Sequence, residues 1–218
     1  MIVLGLTGSI AMGKSRASAA FRLCGVPVFD ADAVVHGLTA PGGAAVRPVA
    51  AAFPGSLNAR SGIDRQSLGR LVFGDPAALH RLEVILHPMV RAAEGQFLRR
   101  CCRAGQQLAV LDIPLLLETG GEARVDRVVV VSAPPLLQRQ RALRRPGMTD
   151  TKLAQIRAKQ VPDATKRRRA DYVIASGQDQ GLLVATVRRI IAEARDLPPG
   201  VWPGRWLRAA KAAEHHAA

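Results

Sequence analysis

Apolar residues are distributed along this chain in two kinds of run. Short, unbroken runs occur at Ile2-Val3-Leu4, Val26-Pro27-Val28-Phe29, Leu108-Ala109-Val110-Leu111, Val128-Val129-Val130-Val131 and Tyr172-Val173-Ile174. They do not alternate with polar residues, which is the pattern of strands buried on both faces, as in a parallel sheet. Between them lie longer stretches with apolar positions at helical spacing: 15–24, stopped by Gly25, then 33–38, 135–145 and 149–160. A last stretch carries Leu182-Leu183, Val187, Ile190-Ile191 and Ala194. Strands alternating with helices predict an α/β fold with a parallel sheet of about five strands flanked by helices.

The alternation is interrupted once. Pro41-Gly42-Gly43 breaks the chain, and from there to about Gly105 no strand-like run appears. Helices are expected over 44–53, 64–73 and 75–103, with a loop at 56–62. Pro88 should break or kink the last of these near His87-Pro88. The expected organisation is a core of residues 1–40 and 104–196, a helical insertion of 41–103 and a lid at about 134–169. The tail, 197–218, holds Trp202 and Trp206 and lies outside the pattern.

Residues 5–16 change the picture from architecture to chemistry. Gly8-x-x-x-x-Gly13-Lys14-Ser15 follows the first apolar run and precedes the first helix, the context of a phosphate-binding loop (P-loop). Gly8 and Gly13 let the backbone turn so that successive N–H groups face an anion. The helix start adds its positive dipole end. Lys14 supplies a point charge for the β- and γ-phosphates, and Ser15 a hydroxyl for Mg²⁺. The reading is a P-loop NTPase fold that binds a nucleoside triphosphate; the loop alone does not separate a kinase from a GTPase or a motor ATPase. Lys14 is expected to be an exposed loop lysine whose loss leaves the fold intact.

Other residues stand where α/β sheets place chemistry, at strand ends. Asp30 and Asp32 close the second run; either also fits a helix N-cap. Asp112 closes the third, as a strand-end carboxylate that reaches Mg²⁺ directly or through water. After the fourth run come two short arginine-bearing helices, the first with Arg139, Arg141, Arg144 and Arg145; together they suit a lid over a triphosphate, while each arginine alone reads as part of a solvated basic face. Thr149 is placed to cap the second. Lys166-Arg167-Arg168-Arg169 reads as a solvated basic face.

Composition narrows the classes. The 218 residues are 48% apolar but only 4% aromatic, so the core is aliphatic, and no run of about 18 uncharged apolar residues could cross a membrane. The N-terminus lacks the basic segment of a signal peptide, so a cytoplasmic protein is expected. Cys24, Cys101 and Cys102 have no metal-site spacing and read as reduced thiols. The net charge of +14 comes with 26 Arg against 5 Lys and no RNA-binding aromatic signature. A positive field serves polyanionic small substrates as well as nucleic acid, and no nucleic-acid partner is expected.

In order, these motifs resemble the dephospho-CoA kinase family. The resemblance runs from about Ile2 to Arg195. It rests on the phosphate loop, Val28-Phe29-Asp30-Ala31-Asp32, Asp64-Arg65 with Leu68-Gly69, Leu86-His87-Pro88 and Pro114-Leu115-Leu116-Leu117-Glu118. Gln138, Arg141, Arg145, Gln160 and Ala170-Asp171 complete it. His-Pro in the helical block together with Pro-Leu-Leu-x-Glu is the more specific part.

The resemblance implies transfer of the ATP γ-phosphoryl to the ribose 3′-hydroxyl of dephospho-CoA by a monomer or weak homo-oligomer. It implies ATP phosphate contacts at Gly8, Ala11, Met12, Gly13, Lys14, Ser15 and Arg16, with Asp32 facing the acceptor hydroxyl. Arg141 and Arg145 become lid arginines, and His87 and Glu118 join Asp32 as substrate-binding residues. Residues 41–103 become the coenzyme-A-binding insertion, while Ser15 and Asp112 remain the Mg²⁺ ligands expected from the loop and strand-end patterns. Arg16 stands where the family commonly has Thr, Ser176 where it has Asn, and Asp112 is not required there. A nucleoside or nucleotide kinase shares the loop and lid, and a nucleic-acid-binding ATPase switch shares the loop.

Overall fold

The computed structural model describes residues 1–72, 74–204, 206 and 208. Its centre is a five-stranded parallel sheet in the order β2-β3-β1-β4-β5. The strands are β1 (Ile2–Thr7), β2 (Val28–Asp30), β3 (Leu108–Asp112), β4 (Arg127–Ser132) and β5 (Tyr172–Ala175). β1 is the middle strand. It pairs with β3 from Ile2 opposite Leu108 to Leu6 opposite Asp112, and with β4 from Leu4 opposite Arg127 to Thr7 opposite Val130. All six residues of β1 and all five of β3 are buried, which is why these strands read as unbroken apolar runs.

The helices in chain order are α1 (Lys14–Leu23), α2 (Ala31–Thr39), α3 (Val46–Ala52), α4 (Arg65–Val72), α5 (Pro76–Arg103), α6 (Pro135–Leu143), α7 (Asp150–Ala158), α8 (Asp163–Arg169) and α9 (Gln180–Arg195). A core cluster joins one face of the sheet to two of these helices. Ile2, Leu4 and Leu6 of β1 and Val129 and Val131 of β4 meet Phe21 of α1 and Leu183, Val187 and Ile190 of α9. Burying such side chains at roughly 1.5–3 kcal/mol each holds the layers together.

The chain divides into two compact units. One comprises Met1–Phe29 and the described residues from Arg100 onward and contains most of the sheet. The other, Asp30–Arg99, is helical apart from one antiparallel bridge between Leu57 and Ile63. It has its own core of Val49, Phe53, Ile63 and Leu68.

Several expectations need correction. α5 continues through Pro88, so the break allowed for there does not occur. Pro88 cannot donate to the carbonyl one turn back, but Leu82, Ile85, Leu86 and Met89 pack on the helical core on both sides of it, and that packing carries the helix across the gap. α8 falls where only a solvated basic run was expected: Lys166 is fully buried. Asp30, not Asp32, caps α2, its Oδ1 accepting from Ala33 N at 2.9 Å. Asp32 therefore sits in the first turn of that helix rather than in the strand. Thr149 caps α7 as expected, accepting from Lys152 N.

The start of the tail is docked. Asp126 Oδ1 accepts from Gly200 N (2.9 Å) and Val201 N (2.8 Å), while Oδ2 accepts from Val3 N (2.8 Å). Val201 and Trp206 are buried, and the Trp202 and Trp206 rings meet at 5.4 Å between centroids. Residues 209–218 lie outside the described residues. No described helix is long and apolar enough to cross a membrane.

One carboxylate thus joins the tail to the central strand through three backbone donors. Asp126→Ala should lower the unfolding free energy by about 2–4 kcal/mol, since hydrogen bonds to a charged group are the stronger kind. Urea denaturation checks this; a loss under about 0.5 kcal/mol would show the docking to be incidental.

Candidate active site

The loop between β1 and α1 is shaped by close approaches. A Cβ on Gly8 would lie 2.7 Å from the Val131 carbonyl oxygen, so only glycine lets the loop lie against β4. Gly13 takes φ 88°, and a Cβ there would meet Ser176 Oγ at 2.7 Å. Ala11 also holds a positive φ, 59°, in a residue that has a Cβ. No side chain caps the N-terminus of α1, leaving its positive end for an anion.

Lys14 is not a free loop side chain. Its Nζ makes an ion pair with Asp112 Oδ1 at the end of β3, and Ser18 Oγ donates to Asp112 Oδ2. The Lys14 side chain is 17% exposed and that of Asp112 3%. Lys14 and Ser18 are four residues apart on α1, hence on one face of it, and they converge on both oxygens of a single carboxylate. Ser15, in the same first turn, is exposed.

A second cluster holds the other side of the loop. Ser176, fully buried after β5, donates from Oγ to the Met12 carbonyl. Arg141 on α6 donates to Ser176 Oγ and to Ser176 O, both at 2.8 Å, and Arg16 Nη1 reaches the same carbonyl at 3.2 Å. Arg16 also donates to Gln180 Oε1. Burial first, and the charge of Arg16 second, lower the Arg141 pKa from its ordinary value. Two guanidiniums thus stand beside an uncapped helix start, an arrangement that favours an anion.

Arg145 is exposed beyond the end of α6. Arg139 pairs with Asp150 through two 2.7 Å bonds, bridging α6 and α7.

The segment from the end of α7 through α8 is a junction. Gln160 Oε1 accepts from Ile10 N, Val161 N donates to Glu118 Oε1 (3.0 Å) and Asp163 accepts from Ser132 Oγ (2.8 Å). Lys166 Nζ pairs with Glu118 Oε1 at 2.7 Å. Glu118, expected to contact a substrate, is thus engaged inside this unit. Beside the junction and the phosphate loop lies a cavity of about 390 Å³ lined by Ser9, Met12, Gln138, Arg157, Gln160 and Asp163 among others.

In the helical unit, Asp32 is exposed in the first turn of α2 and His87 is half-buried on α5. The structure therefore brings Gly8, Ala11, Met12, Gly13, Lys14, Asp112, Arg16 and Arg141 into one constellation. It adds Ser18, Gln138, Gln160, Lys166 and Ser176 as residues whose supporting contacts sequence reading missed. Ser18 had a legible signal, one helical turn after Lys14. Lys166 was hidden in a run of like charges.

Comparison with known proteins gives a consistent result. A family model described as dephospho-CoA kinase matches residues 2–180. The dephospho-CoA kinase of Mesorhizobium japonicum is 56% identical over 195 residues, covering 89% of this chain and 98% of that protein. That of Rhodospirillum rubrum is 50% identical over 216 residues, covering 99% and 100%. Among solved structures, TT1252 from Thermus thermophilus superposes with a TM-score of 0.77 at 32% identity, covering 88% of this chain and 97% of that one.

The Lys14–Asp112 pair has a measurable consequence. Lys14→Ala leaves a buried carboxylate that keeps Ser18 but has lost its cation, and should cost about 1–3 kcal/mol of stability. Adding Asp112→Asn should recover part of that loss. Additive losses in the double-mutant cycle would show that the pair is not coupled in solution.

Proposed function

The chain belongs to the dephospho-CoA kinase family, and on that premise we propose how its residues divide the family's reaction. The activity is ATP-dependent phosphorylation of dephospho-CoA at the ribose 3′-hydroxyl, giving coenzyme A and ADP, the last step of coenzyme A biosynthesis. The observation that carries the assignment of roles is the convergence of Lys14 and Ser18 on Asp112 under an uncapped, glycine-shaped phosphate loop.

Phosphoryl transfer needs little covalent work from the protein; positioning and charge neutralisation dominate. The amides of the loop from Ala11 to Arg16 cradle the ATP phosphates, and the Lys14 ammonium, still shared with Asp112, serves the β- and γ-oxygens. Arg141 is held at the loop by Ser176. Arg145, exposed at the end of α6, reaches the γ-phosphate when the lid segment closes. Both stabilise charge that grows as the phosphoryl group moves.

A hard cation with one or two protein oxygens suits the donors present. Ser15 offers an exposed hydroxyl and Asp112 a strand-end carboxylate. Among the described residues no cluster of three His, Cys, Asp or Glu would hold a metal alone, which fits Mg²⁺ bound mainly through phosphates. When bound, it neutralises phosphate charge.

For the acceptor we assign Asp32 as the carboxylate that orients the 3′-hydroxyl and takes its proton. Asp30 is committed to capping α2 through Oδ1, while Asp32 is exposed. His87 and the helical insertion around it would contact the coenzyme moiety. Glu118, expected at the substrate, is held through Oε1 by Lys166. The enzyme would work in the cytoplasm as a monomer or weak homo-oligomer, on a small-molecule acceptor rather than nucleic acid.

The decisive measurement is an ADP-coupled assay with dephospho-CoA. Asp32→Asn should cut turnover by about 10²–10⁴ with ATP affinity preserved. Asp30→Asn should be milder, because Asn also caps helices. A reversed order would move the base to Asp30. Arg141→Ala and Arg145→Ala should lower kcat more than they raise the KM for dephospho-CoA. If both were kinetically silent, these arginines would be only a solvated face.

A further inference from the structure

The peptide groups of Ile10, midway round the phosphate loop, are held from two directions by glutamine side chains. Gln138 Nε2 on α6 donates to the Ile10 carbonyl at 2.9 Å. Gln160 Oε1, just past the end of α7, accepts from Ile10 N at 3.0 Å. The polarity of each bond is dictated by the backbone, since a carbonyl only accepts and an N–H only donates. The Ile10 side chain packs against Ala11, Ala142 and Leu153, joined by Met148.

Both glutamines are themselves fixed. Gln138 is 3% exposed. Gln160 precedes Val161, whose N–H is bound to Glu118, and Glu118 is in turn paired with the buried Lys166. The residue after Ile10 is Ala11, whose positive φ persists only where its neighbours impose it. None of these contacts belongs to a group that touches phosphate in the mechanism above.

We infer that Gln138 and Gln160 are positioning residues. Together they clamp Ile10 so that the Ala11–Gly13 arc stays turned inward before nucleotide arrives. The inference rests on the nucleotide-binding reading of the loop and extends it to two side chains of the lid segment. The clamp means that the lid helices set the shape of the phosphate loop as well as covering it. A preformed loop binds phosphate without the cost of ordering it first.

The polarity of the two bonds supplies the test. Glu in place of either glutamine puts a like charge beside the same cavity, which both residues line. Only at 160 does the carboxylate still accept from Ile10 N. At 138 it would oppose the Ile10 carbonyl with no donor. ATP affinity should be measured by calorimetry without acceptor, beside steady-state kinetics and thermal melts.

We expect Gln160→Glu to weaken ATP binding by less than about threefold, and Gln138→Glu by about tenfold or more. Gln138→Met and Gln160→Met, which remove the hydrogen bonds without adding charge, should each weaken it by about tenfold. The KM for dephospho-CoA should stay within about twofold in all four. Equal losses in the two Glu variants would assign the effect to added charge and overturn the clamp. So would unchanged affinity in the Met variants, or losses that track melting temperature. If Gln138→Glu does not fold, Gln138→Met decides the point. Because ATP binding is read without acceptor, the result stands apart from whether dephospho-CoA is the substrate.

Discussion

A single buried carboxylate sets the geometry from which the rest of the site follows. Asp112 ends β3 at 2% exposure and takes Lys14 on one oxygen and Ser18 on the other. A charge so deep would be costly alone, and its two partners come from one face of α1. The start of that helix is thereby fixed to the end of a neighbouring strand. The loop between β1 and α1 must close over the gap, which is why Gly8 and Gly13 are confined to positions a side chain could not occupy.

The parallel sheet supplies the frame for this. Pairing of β1 with both β3 and β4 places Thr7, Asp112 and Ser132 at one edge, where α/β folds put their chemistry. Thr7 then donates to the Pro114 carbonyl, and Ser132 to Asp163. The end of β1 is thus tied to the segment that follows β3, and the end of β4 to a helix later in the segment that follows β4 itself. The segment 160–166 collects these ties: Gln160 to the phosphate loop, Val161 and Lys166 to Glu118, Asp163 to β4. The segment from α6 to α8 is thus joined to the phosphate loop by directional bonds as well as by apolar contact.

Much of this was legible in the residues. The five strands read as apolar runs because burial on both faces demands it, and the phosphate loop because its glycines and lysine have no substitutes at that spacing. What was not legible depends on contacts made at long range. Helix propensity says that Pro88 ends a helix; packing of Ile85 and Met89 overrules it. Charge patterning says that Lys166-Arg167-Arg168-Arg169 is a solvated face. One member is buried against Glu118, and Arg169 pairs with Glu122. Sequence spacing left Asp30 and Asp32 equivalent as caps, and only the backbone at Asp30, extended where Asp32 is helical, separates them. Glu118 carried a resemblance-based role at the substrate; that its Oε1 also meets Val161 N and Lys166 could not be read from spacing.

The pairing of Lys14 also bears on how a phosphate loop can be stable and ready at once. Arg16 and Arg141, on α1 and α6, bring two further positive charges to the loop that carries Lys14, and like charges gathered there oppose its closing. Asp112 offsets that opposition, holding Lys14 near its working position. An incoming phosphate group then need not displace the carboxylate. It has only to share the lysine, because Ser18 still satisfies the second oxygen of Asp112. The exchange leaves no buried charge unpaired at any point, so electrostatic preorganisation of the loop is compatible with a folded resting state.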